Sequence, residues 1–111
     1  MKIEGEAVLL RIFIGEKDRA DGKLLYKKIV EICRENNVAG ATVFRGIMGY
    51  GASSRIHAAS LLTLSEDLPI VIEIVDRKDR IDKVLPLIEE VMGNGLITME
   101  KVNVIKYEGK S

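Results

Sequence analysis

The stretch GATVFRGIMGYGASSRIH, Gly40 to His57, decides how this chain is organised. It opens with β-forming residues, passes Gly46, Gly49 and Gly51 within six positions, and ends in a small polar segment that carries the sole histidine. Glycine admits positive φ and has no Cβ, so such a backbone is open to close approach by another molecule. A second glycine pair, Gly93-Asn94-Gly95, precedes the last apolar run. If the fold brings the two together, their amides line one cleft suited to an anionic or nucleotide guest.

Upstream of this stretch, AVLLRIFI (Ala7 to Ile14) is rich in β formers, with Arg11 as its one charge. It predicts a strand buried on both faces, so something must cover its second side. Asp21 is placed to cap a helix in which Leu25, Ile29, Ile32 and Cys33 follow the i, i+4, i+7, i+8 spacing. Ala41 to Ile47 then forms the second strand. Ala52 to Ser65, ASSRIHAASLLTLS, is compatible with a loop, a short helical turn or a return into a strand near Leu61.

Downstream, PIVIEIV from Pro69 puts Ile70, Ile72 and Ile74 on one face and Val71, Glu73 and Val75 on the other. Glu73 among valines needs a partner unless it faces water. Helical spacing returns through Ile81, Val84, Leu85, Ile88, Val91 and Met92, with Asp76 or Asp79 as the expected cap and a kink rather than a break at Pro86. Leu96 to Tyr107 is the last strand and Glu108 to Ser111 a frayed tail. The order β, α, β, β, α, β describes an α+β fold, the ferredoxin-like sandwich: a four-stranded antiparallel sheet with two helices on one face. Two helices leave one face bare, and strands apolar on both sides predict that other copies of the chain bury it.

The 111 residues are read as one domain, residues 1–111, able to bury a core without disulfides. Cys33 stands alone, so no intramolecular disulfide or multi-cysteine metal site is expected. The charge balance, 17 basic against 17 acidic residues, gives no field that draws in nucleic acid. Neither a secretory leader nor an apolar run of membrane-spanning length is seen, and a cytoplasmic protein is expected.

GATVFRGIMGYG resembles the second strand of PII signal-transduction proteins, and GNGLI (Gly93 to Ile97) their glycine-rich loop before the last strand. A more specific likeness is carried by LRIFIGEKDR (Leu10 to Arg19), GATVFRGIMGYGASSRIH, LSEDLPIVIEIVD (Leu64 to Asp76) and the last strand, which together resemble the PII-like family known as domain of unknown function 190. The resemblance implies a PII-like homotrimer with an inter-subunit cleft for an adenine nucleotide, acting as a non-catalytic regulator of a partner such as a transporter or channel. The site it implies comprises Gly49, Tyr50, Gly51, Ala52, Ser53, Ser54, Arg55 and His57 from one bend, Gly93, Asn94 and Gly95 from the other, and Lys106. PII proteins carry a lysine where Leu96 stands here, and this loss of cation density favours ADP or AMP over ATP.

Bare motifs carry less. Gly46-x-x-Gly49-x-Gly51 lacks the Lys-Ser or Lys-Thr of a P-loop and also reads as a bulge and tight turn. Ser53, Ser54, Arg55 and His57 also fit a solvated loop, and no nucleophile elbow surrounds either serine. Arg11 and Arg45 are expected to pair with Glu73 or with another subunit's carboxylate. Two alternatives stand beside the regulator. One is an acylphosphatase-type hydrolase using Arg11 or Arg45 with Asn94. The other is a trimeric divalent-metal-associated protein, for which one His and one Cys are a poor copper set. No metal is predicted.

Overall fold

The computed structural model describes residues 1–51, the backbone of 57–58, and residues 67–109. Strand β1 (Gly5–Gly15) is followed by a two-residue hairpin, β2 (Arg19–Ala20) and β3 (Lys23–Leu24), and by helix α1 (Leu25–Glu35). Strands β4 (Thr42–Arg45), β5 (Met48–Gly49), β6 (His57–Ala58) and β7 (Pro69–Asp76), helix α2 (Lys78–Val91) and strand β8 (Leu96–Val104) complete the chain. The main sheet has the order β4-β7-β1-β8 and its pairings are antiparallel. This is the expected ferredoxin-like arrangement, with the two small hairpins added to it.

The core lies between the sheet and the two helices. Val8, Leu10, Ile12 and Ile14 alternate along β1, and Ile70, Ile72 and Ile74 along β7. Across from them stand Leu25, Ile29, Ile32 and Cys33 of α1 and Ile81, Val84 and Ile88 of α2. Period-two burial on the strands meets period-3.6 burial on the helices. Each such side chain contributes about 1.5–3 kcal/mol when fully buried. Pro86 does not end α2. It and Asp82, whose carbonyl loses its amide partner, both sit on the exposed side, open to solvent.

The opposite face of the sheet is mixed rather than wholly apolar. Ala7 and Leu9 are buried there, while Phe13, Phe44, Val75 and Leu96 remain substantially exposed. Arg11 lies directly across from Glu73, its Nε 2.8 Å from Oε2, and its Nη1 is 2.9 Å from Oε1 of Glu100 on β8. The expected partner of Glu73 is therefore Arg11. Hydrogen bonding to Glu73 raises the Arg11 pKa against an opposing desolvation, and the charges of Glu73 and Glu100 add to the rise.

Three local expectations are corrected. Asp21 does not cap α1: with φ +51 and Gly22 at +77 it forms the turn of the β2–β3 hairpin, since Asp-Gly suits a two-residue turn that needs positive φ twice. Neither Asp76 nor Asp79 is the cap of α2, which begins after Arg77 with no side-chain cap. Strand β8 ends at Val104, and the chain then leaves the sheet to pair with its own beginning, Ile3 N–H donating to the Tyr107 carbonyl at 3.1 Å and Gly109 N–H to that of Met1 at 2.9 Å. Glu108 and Gly109 are thus held rather than frayed.

Asp76 is instead a buried clamp. It is fully enclosed, and its oxygens accept the Ala39 amide at 2.8 Å, the Arg77 amide at 2.7 Å and the Arg80 guanidinium at 3.2 Å. It ties the α1–β4 connection to the start of α2, and Tyr107 adds a bond from its hydroxyl to the Ala39 carbonyl at 2.8 Å.

Replacing Asp76 by alanine strands two amides and a guanidinium, so urea unfolding is expected to show a loss of about 3–5 kcal/mol. Burial pushes the Cys33 thiol up to about 11 from 9.0. The thiol therefore reacts with iodoacetamide far more slowly in the native protein than in urea. Between those two values the unfolded chain releases a proton that the folded chain keeps. Stability drawn from this group therefore falls as pH rises through that window, a decline that Cys33→Ala removes from alkaline melting curves.

Candidate ligand cleft

The sheet order sets which loops meet. β1 and β4 end, and β7 and β8 begin, at one edge of the sheet, where Gly15 stands across from Pro69 and Phe13 across from Leu96. The β5 arm leaves β4 at that edge, and the Gly93–Gly95 bend enters β8 there. A cleft of about 550 Å³ opens between them, bounded by Phe13 to Gly15, Gly49 to Gly51, Leu68 to Ile70 and Asn94 to Leu96. The two glycine bends are therefore neighbours within a single chain.

The glycines do different jobs. Gly95 has φ +146, and a Cβ there would stand 2.9 Å from the Phe13 carbonyl oxygen and 2.7 Å from Met92. Only glycine lets this bend close against β1. Gly46 and Gly49 keep negative φ, and their missing Cβ atoms are answered by the chain itself: Pro69 ring carbons stand 3.3 and 3.0 Å from where they would be. Gly46 N–H also donates to the Pro69 carbonyl at 2.7 Å. Gly51 alone of the three has nothing within 4 Å of that position among the described residues. The first glycine run is thus mostly a packing device that folds the arm onto β7.

Of the anticipated residues, Gly49, Tyr50, Gly51, Asn94 and Gly95 border the cleft. Gly93 borders a different hollow of about 500 Å³ between α2 and β8, with Leu85, Glu89, Met92 and Met99. Lys106 follows the far end of β8, a nine-residue strand that spans about 30 Å, so it stands at the opposite pole of the same chain. Ala52, Ser53, Ser54 and Arg55 lie outside the described residues. For His57 only the backbone is described, paired with Gly49.

Sequence reasoning missed Asp18 and Asp67, the charged side chains that border the cleft among the described residues. Asp18 Oδ2 accepts the Gly15 amide at 2.9 Å, and Asp67 Oδ1 the Lys17 amide at 2.8 Å. Each orders the turn after β1, and the Glu16 amide adds a 2.8 Å bond to the Leu68 carbonyl. A short polar turn after a strand was the available signal for Asp18. Phe13, Tyr50 and Leu96, each more than a third exposed, supply an apolar lip. Arg45 is paired with Glu16 and Arg11 with its two glutamates, so neither comes into the cleft beside Asn94. Among the described residues no group of three or more His, Cys, Asp or Glu is arranged to hold a metal, and no helix is long and apolar enough to cross a membrane.

The profile of the DUF190 family, described as an uncharacterized ACR, matches residues 7–104. A UPF0166 protein of Aquifex aeolicus is 46% identical over 99 residues, 87% of this chain and 91% of that one. Among solved structures, CPII of Thiomonas intermedia K12, a nitrogen regulatory PII-like protein determined with ADP, AMP and bicarbonate, superposes with a TM-score of 0.64 at 15% identity, covering 94% of this chain and 91% of that one. A Thermus thermophilus protein described as a putative PII-like signaling protein gives 0.66 at 18% identity, covering 91% of each chain. The fold is thus that of the PII-like proteins, and by sequence the chain belongs to the DUF190 family.

Proposed function

We propose that this protein is a non-catalytic PII-like regulator that binds an adenine nucleotide, ADP or AMP in preference to ATP, in a cleft completed by a neighbouring subunit of a homotrimer. One observation carries this: the two glycine bends converge on a single cleft with an apolar lip and open amide-bearing backbone at Gly51. Phe13 and Tyr50 offer faces on which a base can stack. CPII, solved with ADP and AMP, shares the fold and supports the choice of ligand.

The shortage of cations favours few phosphates. No Lys or Arg borders the cleft among the described residues, and Leu96 occupies the position at which PII proteins carry lysine. Lys106 reaches such a site only from another copy, since its own chain puts it at the far pole. The exposed Phe13, Phe44, Val75 and Leu96 on the bare sheet face are the surface that the trimer would bury.

Regulation follows from what stands beside the guest. Ile47, Met48 and Tyr50 on the arm are 80%, 62% and 70% exposed. A nucleotide held against Tyr50 favours one arrangement of that apolar ridge over others, and it shifts partner binding by its differential affinity for them. A cytoplasmic partner, such as the soluble face of a transporter or channel, would read the ridge.

Light scattering is expected to give three times the 12.3 kDa chain mass, and a monomer at working concentration refutes the shared cleft. Titration calorimetry is expected to show AMP or ADP binding more tightly than ATP, and absence of heat with all three at millimolar ligand refutes the nucleotide site. Gly51→Glu, at a position with space for a side chain, is expected to weaken binding at least tenfold with an unchanged melting temperature.

A further inference from the structure

We infer that Asp18 and Asp67 are specificity residues of the cleft and that they accept the two ribose hydroxyls of the bound nucleotide. This inference rests on the cleft being the nucleotide site. Each carboxylate is already anchored through one oxygen, Asp18 Oδ2 by the Gly15 amide and Asp67 Oδ1 by the Lys17 amide. Asp18 Oδ1 stands 3.1 Å, and both Asp67 oxygens 3.2 Å, from a common point, where a Cβ on Gly15 would be. Gly15 thus leaves room for two carboxylates to converge on one corner of the cleft.

An ionised carboxylate only accepts hydrogen bonds, so the group facing this corner must be a donor. A phosphate is repelled there. A vicinal diol supplies two adjacent hydroxyl donors that match two adjacent acceptors, and hydrogen bonds to charged acceptors are among the stronger ones. The aromatic lip at Phe13 and Tyr50 takes the base, and the open backbone at Gly51 is left to the phosphate. The same charges make each additional phosphate less welcome, so the pair also orders the ligands as AMP over ADP over ATP.

The test is titration calorimetry of wild-type protein, Asp18→Asn and Asp67→Asn with AMP, ATP and a dideoxy-AMP lacking both ribose hydroxyls. Asparagine keeps an acceptor oxygen for the backbone amide, so the turn is preserved, and circular dichroism melting checks this. Wild-type protein is expected to bind dideoxy-AMP at least about tenfold more weakly than AMP. In either variant that ratio is expected to shrink towards one, while the disadvantage of ATP relative to AMP also narrows. If wild-type protein binds AMP and dideoxy-AMP equally, the diol assignment is overturned while the nucleotide site stands. A full wild-type ratio retained in both variants overturns the assignment to these two residues. If wild-type protein binds no adenine nucleotide at all, the cleft is not a nucleotide site and both conclusions fall.

Discussion

The structure depends on β1 being paired on both edges at once. Its register with β7 and β8 places Leu10 and Ile12, fully enclosed, at the centre of the core, and the same register sets Phe13 beside Leu96 and Gly15 beside Pro69. A slip of one residue on either side would turn the isoleucines to the bare face and pull the cleft apart, because side chains alternate with period two. Core and cleft are therefore consequences of one alignment, which the Arg11–Glu73 pair reinforces from the other face.

The two poles of the sheet have different chemistry. At the pole where β7 ends, Asp76, Arg80, Tyr107 and the first residues knit connections together through hydrogen bonds whose donors and acceptors are all within the chain. The cleft pole is also bonded within the chain, through the amides of Gly15, Glu16, Lys17 and Gly46. Asp18 and Asp67 each spend one oxygen on the backbone, and Gly51 spends no space on a side chain. A guest would need bonding capacity of this kind, which borders the glycine bend that family likeness already singled out.

The four main strands and both helices were legible because each carries its own period: two along Ile70, Ile72 and Ile74, and 3.6 along Leu25, Ile29, Ile32 and Cys33. The Asp21-Gly22 turn is also written in the sequence, but aspartate before a helix pattern reads equally well as a cap. Other features are properties of the fold rather than of any segment. Asp76 is a clamp only because Ala39 is brought to it from a distant connection. Gly46 and Gly49 looked like room for a ligand, yet the room is taken by Pro69, which enters from a separate strand far along the chain. Local patterning shows that a Cβ is missing, whereas only the packing shows what fills the gap.

The pairing of Met1 to Ile3 with Tyr107 to Gly109 closes a main-chain seam at the pole away from the cleft. Anything attached at this seam would stand clear of the cleft, leaving the glycine bends uncovered.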